Sequence, residues 1–332
     1  MYLKKPSRFL FYTILFCLGL LSLIIGSIPF QTLIDQCYER LCTKHNIWCA
    51  IIDERLPRLI VLVLSGASLA VAGSVMQTVF NNPLASPSSL GISSGASLMV
   101  VLSFYFQWHQ SDPKQLALVS IFGCVITLIL VYLISRVRSR SLSFMLITGF
   151  AASSFFSAIA DTISHTFHNN HETFLNWAQW HSATTFDRDW CHVEIQLPLT
   201  LIGLLGIFYL RKEIDIMSLG DDDAQTLGVN TDASRWIVLL LTSMITGASL
   251  AAMGGGLPFF GLLLPYLVRK CYGPGMNTLF PLCMGMGSIS LVTLDLTIRF
   301  FEFESLAIGN VSALFGGSSF LLICFHEFKD SA

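Results

Sequence analysis

Ten stretches of apolar residues, separated by short polar or basic interruptions, organise this chain: roughly 9–30, 57–80, 93–107, 116–135, 144–167, 193–210, 234–252, 257–269, 277–297 and 308–326. Runs of this length and composition predict helices that lie in lipid. Several fall short of a full span, so tilted, broken or re-entrant segments are expected among them. The interruptions alternate in character. Lys4, Lys5 and Arg8 precede the first stretch, Arg136, Arg138 and Arg140 follow the fourth, Arg211 and Lys212 the sixth, and Arg269 and Lys270 the eighth. If every stretch crosses once, all four basic groups share one side. The positive-inside rule makes that side the cytoplasm and places both termini there. The first stretch is long and lacks a small-residue cleavage site after it, so it reads as a retained helix rather than a leader.

Composition sharpens this picture. Of 332 residues, 53% are hydrophobic and 12% charged, about half the charged share of a soluble domain. The expected fold class is an all-α integral membrane protein with about ten transmembrane helices, one domain over residues 1–332. The net charge of −2 gives no sign of a nucleic-acid partner, and none is expected. Small residues punctuate the helices. Gly66, Ala70 and Ser74 recur at every fourth position and would admit a close neighbour. Gly254, Gly255, Gly256 and Pro258 form a breaker between the seventh and eighth stretches. No low-complexity tract or internal duplication is evident.

Candidate chemistry is sparse. Asp161, Asp295, Arg299, Glu302 and Glu304 lie toward the outer ends of their stretches, and the middles are nearly free of charge. An ion-coupled secondary transporter, the rival class, usually needs acids near the midplane. No P-loop motif occurs, so any ATP hydrolysis is expected on a separate subunit, and no cofactor or metal is expected in this chain. His165, His168 and His171 are spaced to converge on a metal if helical, but Asn169 and Asn170 favour a polar outer loop. Trp177, Trp180 and Trp190 are expected at the membrane interface. Cys37, Cys42, Cys49 and Cys191 fall in outer loops, where a disulfide and free thiols both remain open. Residues 211–235 form the longest loop on the basic side. Within it Ser218 is expected to cap a short helix, with Asp221 to Asp223 in its first turn and Gly228 ending it. Such a loop suits a docking surface.

Several stretches together resemble the permease subunits of bacterial binding-protein-dependent ABC importers of the iron-siderophore, haem and vitamin B12 class. They are "RLPR" followed by "SGASLAVAGSVMQTVFNNPLASPSSLGISSGAS", then "MSLGDDDAQTLGV", "GGGLPFFGLLLPYLVR" and "GNVSALFGGSSFLL". Their order covers nearly the whole chain. The resemblance implies a BtuC-like, type II importer permease in the bacterial inner membrane, paired with a second permease chain, identical or similar. It implies a cytoplasmic ATPase dimer that uses ATP and a periplasmic binding protein that delivers the cargo. Ferric siderophore is the expected cargo, with haem or cobalamin the alternative. By the same resemblance Ser218, Leu219, Gly220, Asp221, Ala224, Leu227 and Gly228 would couple to the ATPase. Asn82 and Leu84, facing Ser141 and Ser143, would form a cytoplasmic gate. Arg55, Arg58 and Arg299, on the outer face, would dock the binding protein. Tyr266 stands where the family carries a histidine after Pro265, and Ala307 where it carries a proline.

Overall fold

Each of the ten apolar stretches carries a helix, and no strand occurs among the described residues of the computed structural model. Those residues are 8–25, 32–33, 35–36, 49–108, 113–138, 141–169, 171–185, 188–257, 259–301 and 306–331. In chain order the helices are α1 (Arg8–Ile24), α2 (Leu56–Val79), α3 (Ile92–Tyr105), α4 (Pro113–Arg138), α5 (Leu142–His165), α6 (His171–His181), α7 (Trp190–Tyr209), α8 (Arg211–Met217), α9 (Asp221–Thr226), α10 (Thr231–Met253), α11 (Phe260–Tyr272), α12 (Met276–Phe300) and α13 (Ile308–Ser331). Among the described residues, six helical stretches are long and apolar enough to cross a bilayer: Ile51–Val79, Lys114–Val137, Leu142–His165, Trp190–Tyr209, Thr231–Met253 and Met276–Phe300. Helices α6, α8 and α9 are short and lie in the connections.

The centre of the bundle is α2. Pro57 sits in its first turn, where the missing N–H costs nothing. Small residues along its length let other backbones press against it. A Cβ on Gly66 would stand 2.3 Å from the Gly287 carbonyl of α12, and one on Gly73 would stand 1.7 Å from the Gly261 carbonyl of α11. Only hydrogen fits at either place. The expected small-residue seam thus exists, with Gly66 and Ala70 receiving Gly287 and the Ser74 carbonyl receiving a bond from Arg269. Where lipid supplies no hydrophobic drive between helices, this close packing supplies the attraction.

Two of the ten stretches are half-helices. With 14 and 13 residues, α3 and α11 reach only about 20 Å, short of the roughly 30 Å hydrocarbon core. Each is preceded by irregular chain. Before α3 the chain turns through Asn81 at φ 46° and a 3-10 turn at Pro87–Leu90. Before α11 it passes Gly254 at φ 79° and Phe259 at φ 69°. Backbone of this kind survives at membrane depth only when protein covers it. Ala85, Ser86, Pro87, Gly254 and Gly255 are all buried, and Gln77 donates from its side-chain amide to the Leu262 carbonyl at 2.9 Å. The breaker expected from the sequence is present as irregular, covered chain ahead of a short helix.

The half-helices also expose a relation that the sequence hid. Ser65–Ala70 reads SGASLA in α2, and Thr246–Ala251 reads TGASLA in α10. These two helices pack together. Each is followed by irregular chain and a half-helix. The end of α2 lies beside Ser218, and the start of α10 lies beside Asp221, so the two units run in opposite directions.

Candidate functional site

One end of the bundle carries α8 and α9. The cap of α9 is Gly220 at φ 113°, a left-handed conformation glycine tolerates, and not Ser218 as expected. Ser218 instead closes α8, its hydroxyl donating to the Asp215 carbonyl at 2.6 Å. The rest of the expectation holds in geometry: Asp221, Asp222 and Asp223 fill the first turn of α9, favoured by the helix dipole, and Gly228 at φ 85° ends it. Arg235 of α10 pairs with Asp221. Glu213 accepts from the Ser234 hydroxyl at 2.7 Å. Asp215 accepts from the Met276 N–H at 2.7 Å and so caps α12, while Arg211 donates to Asn277 at 2.8 Å. Asn81 donates to the Ser218 carbonyl at 3.0 Å. Burial pushes the Asp215 carboxyl above its usual range, opposed by the Met276 N–H and by Arg269. The α8–α9 unit is therefore fixed to the ends of α2, α10 and α12.

Ala224 faces inward, with no exposed surface, and cannot itself meet a partner as expected. The exposed apolar side chains here are Leu219 and Leu227, 60% and 59% exposed. The four residues expected to form a gate divide into two pairs. Asn82 and Leu84 belong to the turn after α2, where the Asn82 side chain accepts from the Leu84 N–H at 2.9 Å. Ser141 and Ser143 belong to the start of α5, and Ser141 lies in a corner with Arg136, Asp232 and Arg235.

The opposite end carries a buried charge cluster, and here the sequence reading needs its largest correction. Arg55, Arg58 and Arg299 do not project outward. Arg55 and Arg58 are each 5% exposed. Arg58 donates through Nη2 to Asp295 Oδ1 at 2.6 Å and through Nε at 3.1 Å. Thr185 donates to the same oxygen at 2.9 Å and accepts from Arg58 at 2.8 Å. Arg299 Nε stands 3.0 Å from Asp295 Oδ2, close enough for charge attraction without hydrogen-bond alignment.

The remaining guanidinium bonds explain why three arginines gather here. Arg55 donates to the Leu23 and Ile24 carbonyls at 2.9 and 2.8 Å. Arg299 donates to the Ser22 and Ile25 carbonyls, both at 3.0 Å, and to the Ser22 hydroxyl. These carbonyls close α1, whose last turn has no helical donors left to satisfy them. A cation at that position also meets the negative end of the helix dipole. Asp295, named in the sequence only as one of the charges near the outer ends and given no site role there, is the hub. One signal pointed to it: it lies four residues before Arg299 in an otherwise apolar stretch.

The other expectations fall as follows. Trp177 and Trp180, expected near the membrane interface, are packed inside the chain. The Trp180 carbonyl accepts from the Gly255 N–H at 2.5 Å, and Trp177 stacks on His181 with centroids 5.0 Å apart. Trp190 is half-exposed and donates to the Ile52 carbonyl at 3.0 Å. His165 is exposed at the end of α5, while the side chains of His168 and His171 lie outside the described residues. Cys37, Cys42, Glu302 and Glu304 also lie outside them. Cys49 is buried and Cys191 half-buried.

Long apolar helices, two half-helices over covered irregular chain and a capped platform at one end define an all-α polytopic membrane protein. The family model described as the FecCD transport family matches residues 12–326. The Fe(3+) dicitrate transport system permease protein FecD of Escherichia coli is 30% identical over 309 residues, 91% of this chain and 93% of that protein. The hemin transport system permease protein HmuU of Yersinia pestis is 29% identical over 324 residues, 95% and 93% of the two chains. A metal-chelate type ABC transporter solved in an inward-facing conformation matches with a TM-score of 0.83 at 25% identity, covering 96% of this chain and 98% of that one. The chain belongs to the FecCD transport family, whose members are permease subunits of ABC importers.

Proposed function

We propose that this chain is the membrane-spanning subunit of a binding-protein-dependent importer for ferric siderophores, in the bacterial inner membrane with both termini cytoplasmic. The observation that carries the reading is the α8–α9 platform. Leu219 and Leu227 flank the short helix α9, and one salt bridge and several hydrogen bonds tie the α8–α9 unit to three membrane helices. A partner seated on those leucines would move the membrane helices with it, which is what an ATPase on a separate subunit must do. Ser218 to Gly228 is therefore the coupling segment, within the loop 211–235, and the platform end is the cytoplasmic one. Asn82 and Leu84 border the inner mouth beside it, and Ser141 and Ser143 flank it on the α5 side.

A second permease chain, identical or similar, completes the pathway. The end with the arginine cluster receives the periplasmic binding protein. There Arg55, Arg58 and Arg299 act in this conformation as the frame beneath the docking surface, holding α1, α2 and α12 in register. The named relatives carry iron dicitrate and hemin, so an iron chelate is the favoured cargo, with haem and cobalamin as the alternatives. The test is uptake of labelled ferric siderophore, haem and cobalamin by cells with and without this chain, under ATP depletion and under a protonophore. Loss of ferric-siderophore uptake without the chain, sensitive to ATP depletion alone, is expected. Uptake that follows the proton gradient and ignores ATP would overturn the reading.

A further inference from the structure

Between its two ends the bundle holds a polar node, where α2, α7 and α10 pack together. Gln196 of α7 donates through its amide to Ser65 Oγ of α2 at 2.7 Å, which fixes the height of one helix against the other. Both helices run toward the α8–α9 platform, so Thr200 and Ser68, each about one turn further on, follow at the next level. α10 meets them from the opposite direction. A Cβ on Gly203 of α7 would stand 2.1 Å from Ile245 of α10, and Thr200 and Thr246 each lie within a turn of that contact. Ser243 precedes Thr246 by a turn. Of these polar residues none is more than 1% exposed.

Ser68 Oγ, Gln196 Oε1, Thr200 Oγ1, Ser243 Oγ and Thr246 Oγ1 have no hydrogen-bond partner among the described residues. Their neighbours behave otherwise. Ser74, Thr78, Thr242 and Ser249, in the same helices, each return the hydroxyl to a carbonyl three or four residues back. The Gln196 amide oxygen has no such recourse, since it can only accept. Buried polar groups are nearly always bonded, to protein or to ordered water, and lipid offers no substitute. Orphans gathered at one junction point to a ligand that donates to Gln196 and also serves hydroxyls. That ligand is neutral. Residues 59–79, 195–209 and 236–253 carry no charged side chain, so an ion would bring an uncompensated charge into the bundle. Water meets the demand, because it donates and accepts and typically takes about three polar partners when buried.

We propose that this node is a binding site for ordered water, which bridges α2, α7 and α10 through Ser68, Gln196, Thr200 and Thr246. The test rests on a sign. Thr200→Val keeps the shape of the side chain and removes only the hydroxyl. In a dry junction that deletes an unpaired polar group and raises the melting temperature. At a hydrated node it takes a partner from the bound water, and the melting temperature of the purified full chain in detergent should fall by about 2–4 °C. Thr246→Val should act in the same direction. The double variant should lose less than the sum of the two, because both hydroxyls hold the same water. Cryo-electron microscopy of the assembled transporter, at a resolution that shows water, should find density within hydrogen-bond distance of Gln196 Oε1 and Thr200 Oγ1. An unchanged or raised melting temperature in both valine variants, or a node without density at that resolution, would overturn the proposal. Stabilisation by sodium beyond that by choline at equal ionic strength, lost in Thr200→Val, would give the node to a cation and overturn water as its ligand.

Discussion

Replacing Asp295 by alanine tests the buried cluster directly. The carboxylate has no exposed surface, accepts two bonds from Arg58 and one from Thr185, and faces Arg299 Nε at 3.0 Å. Without it, two guanidiniums whose side chains are 6% and 8% exposed face each other with no counter-charge. Removing one partner of a buried pair costs about 3–5 kcal/mol, most of it the penalty of the stranded charge. Asp295→Ala should therefore unfold well below the wild type in detergent, and raised salt should recover little of the loss because the site excludes ions. Asp295→Asn keeps an acceptor for Thr185 and one Arg58 donor, so it should fall between. The informative variant is the double one, Asp295→Ala with Arg58→Met. Removing the stranded cation restores an apolar contact, so this protein should be more stable than Asp295→Ala alone, a non-additivity diagnostic of direct coupling. Wild-type stability of Asp295→Ala, or simple addition of the two losses, would refute the assigned pairing.

The platform makes a separable prediction: Leu219→Asp or Leu227→Asp should abolish co-purification with the ATPase and leave the amount of chain in the membrane unchanged. Ala224→Arg should lower that amount itself, because the site is closed within the chain, and both effects can be read by membrane immunoblot and pull-down. Gly66→Val should fail to accumulate, since its first new carbon would meet the Gly287 carbonyl, whereas Gly256→Ala, with nothing within 4 Å, should accumulate normally. Burial raises the Asp215 pKa, so its charged form weakens the folded state at neutral pH, and that penalty is lost as pH falls through the raised pKa toward the ordinary carboxylate value. Asp215→Asn, which keeps an acceptor for Met276, should therefore match or exceed the wild-type melting temperature at neutral pH and converge with it in acid. Asp215→Ala should lose about 1 kcal/mol with the cap.

Much of the fold was legible because lipid imposes one rule on every span. Ten apolar stretches became ten helices, and the Gly254–Gly256 breaker and the Asn–Pro turn after α2 became irregular chain ahead of half-helices. The misses share a cause. Positive charge at a helix mouth reads the same from sequence whether it points to solvent or to another helix's carbonyls. Only the position of α1 beside Arg55 and Arg299 decides between them, and that is a tertiary fact. Ala224 failed likewise: a short amphipathic helix shows its periodicity but not which neighbour covers it. Ser218 failed more locally, because Gly220 at positive φ leaves the helix start two residues later than the hydroxyl suggested. The repeated SGASLA and TGASLA stand in the sequence, but a match of six residues proves nothing until both helices are seen to be followed by half-helices, in units running opposite ways.

The clamps at the two ends imply which helices can move. α2 and α12 are joined at one end through Asp295, at mid-height through Gly66 and Gly287, and at the other end through their shared hold on α8 and α9. A pair fixed at three heights shifts as one body, since close-packed contacts do not slide without losing their bonds. α5 is the opposite case. Only Met145, Gly149, Ala160 and Ser164 along its 24 residues are buried, and most of its surface meets nothing within the chain. Force delivered at α9 should therefore leave the α2–α12 unit intact and change the position of α5 against it. Hydrogen exchange of the assembled transporter, with and without nucleotide, reads this. Amides in the middle of α2 and α12 should exchange slowly and identically in both states, while those at the ends of α5 should differ. Nucleotide-dependent exchange at Gly66 to Ala70 or at Gly287 would show that the glycine seam itself opens, and the rigid-body argument would fail.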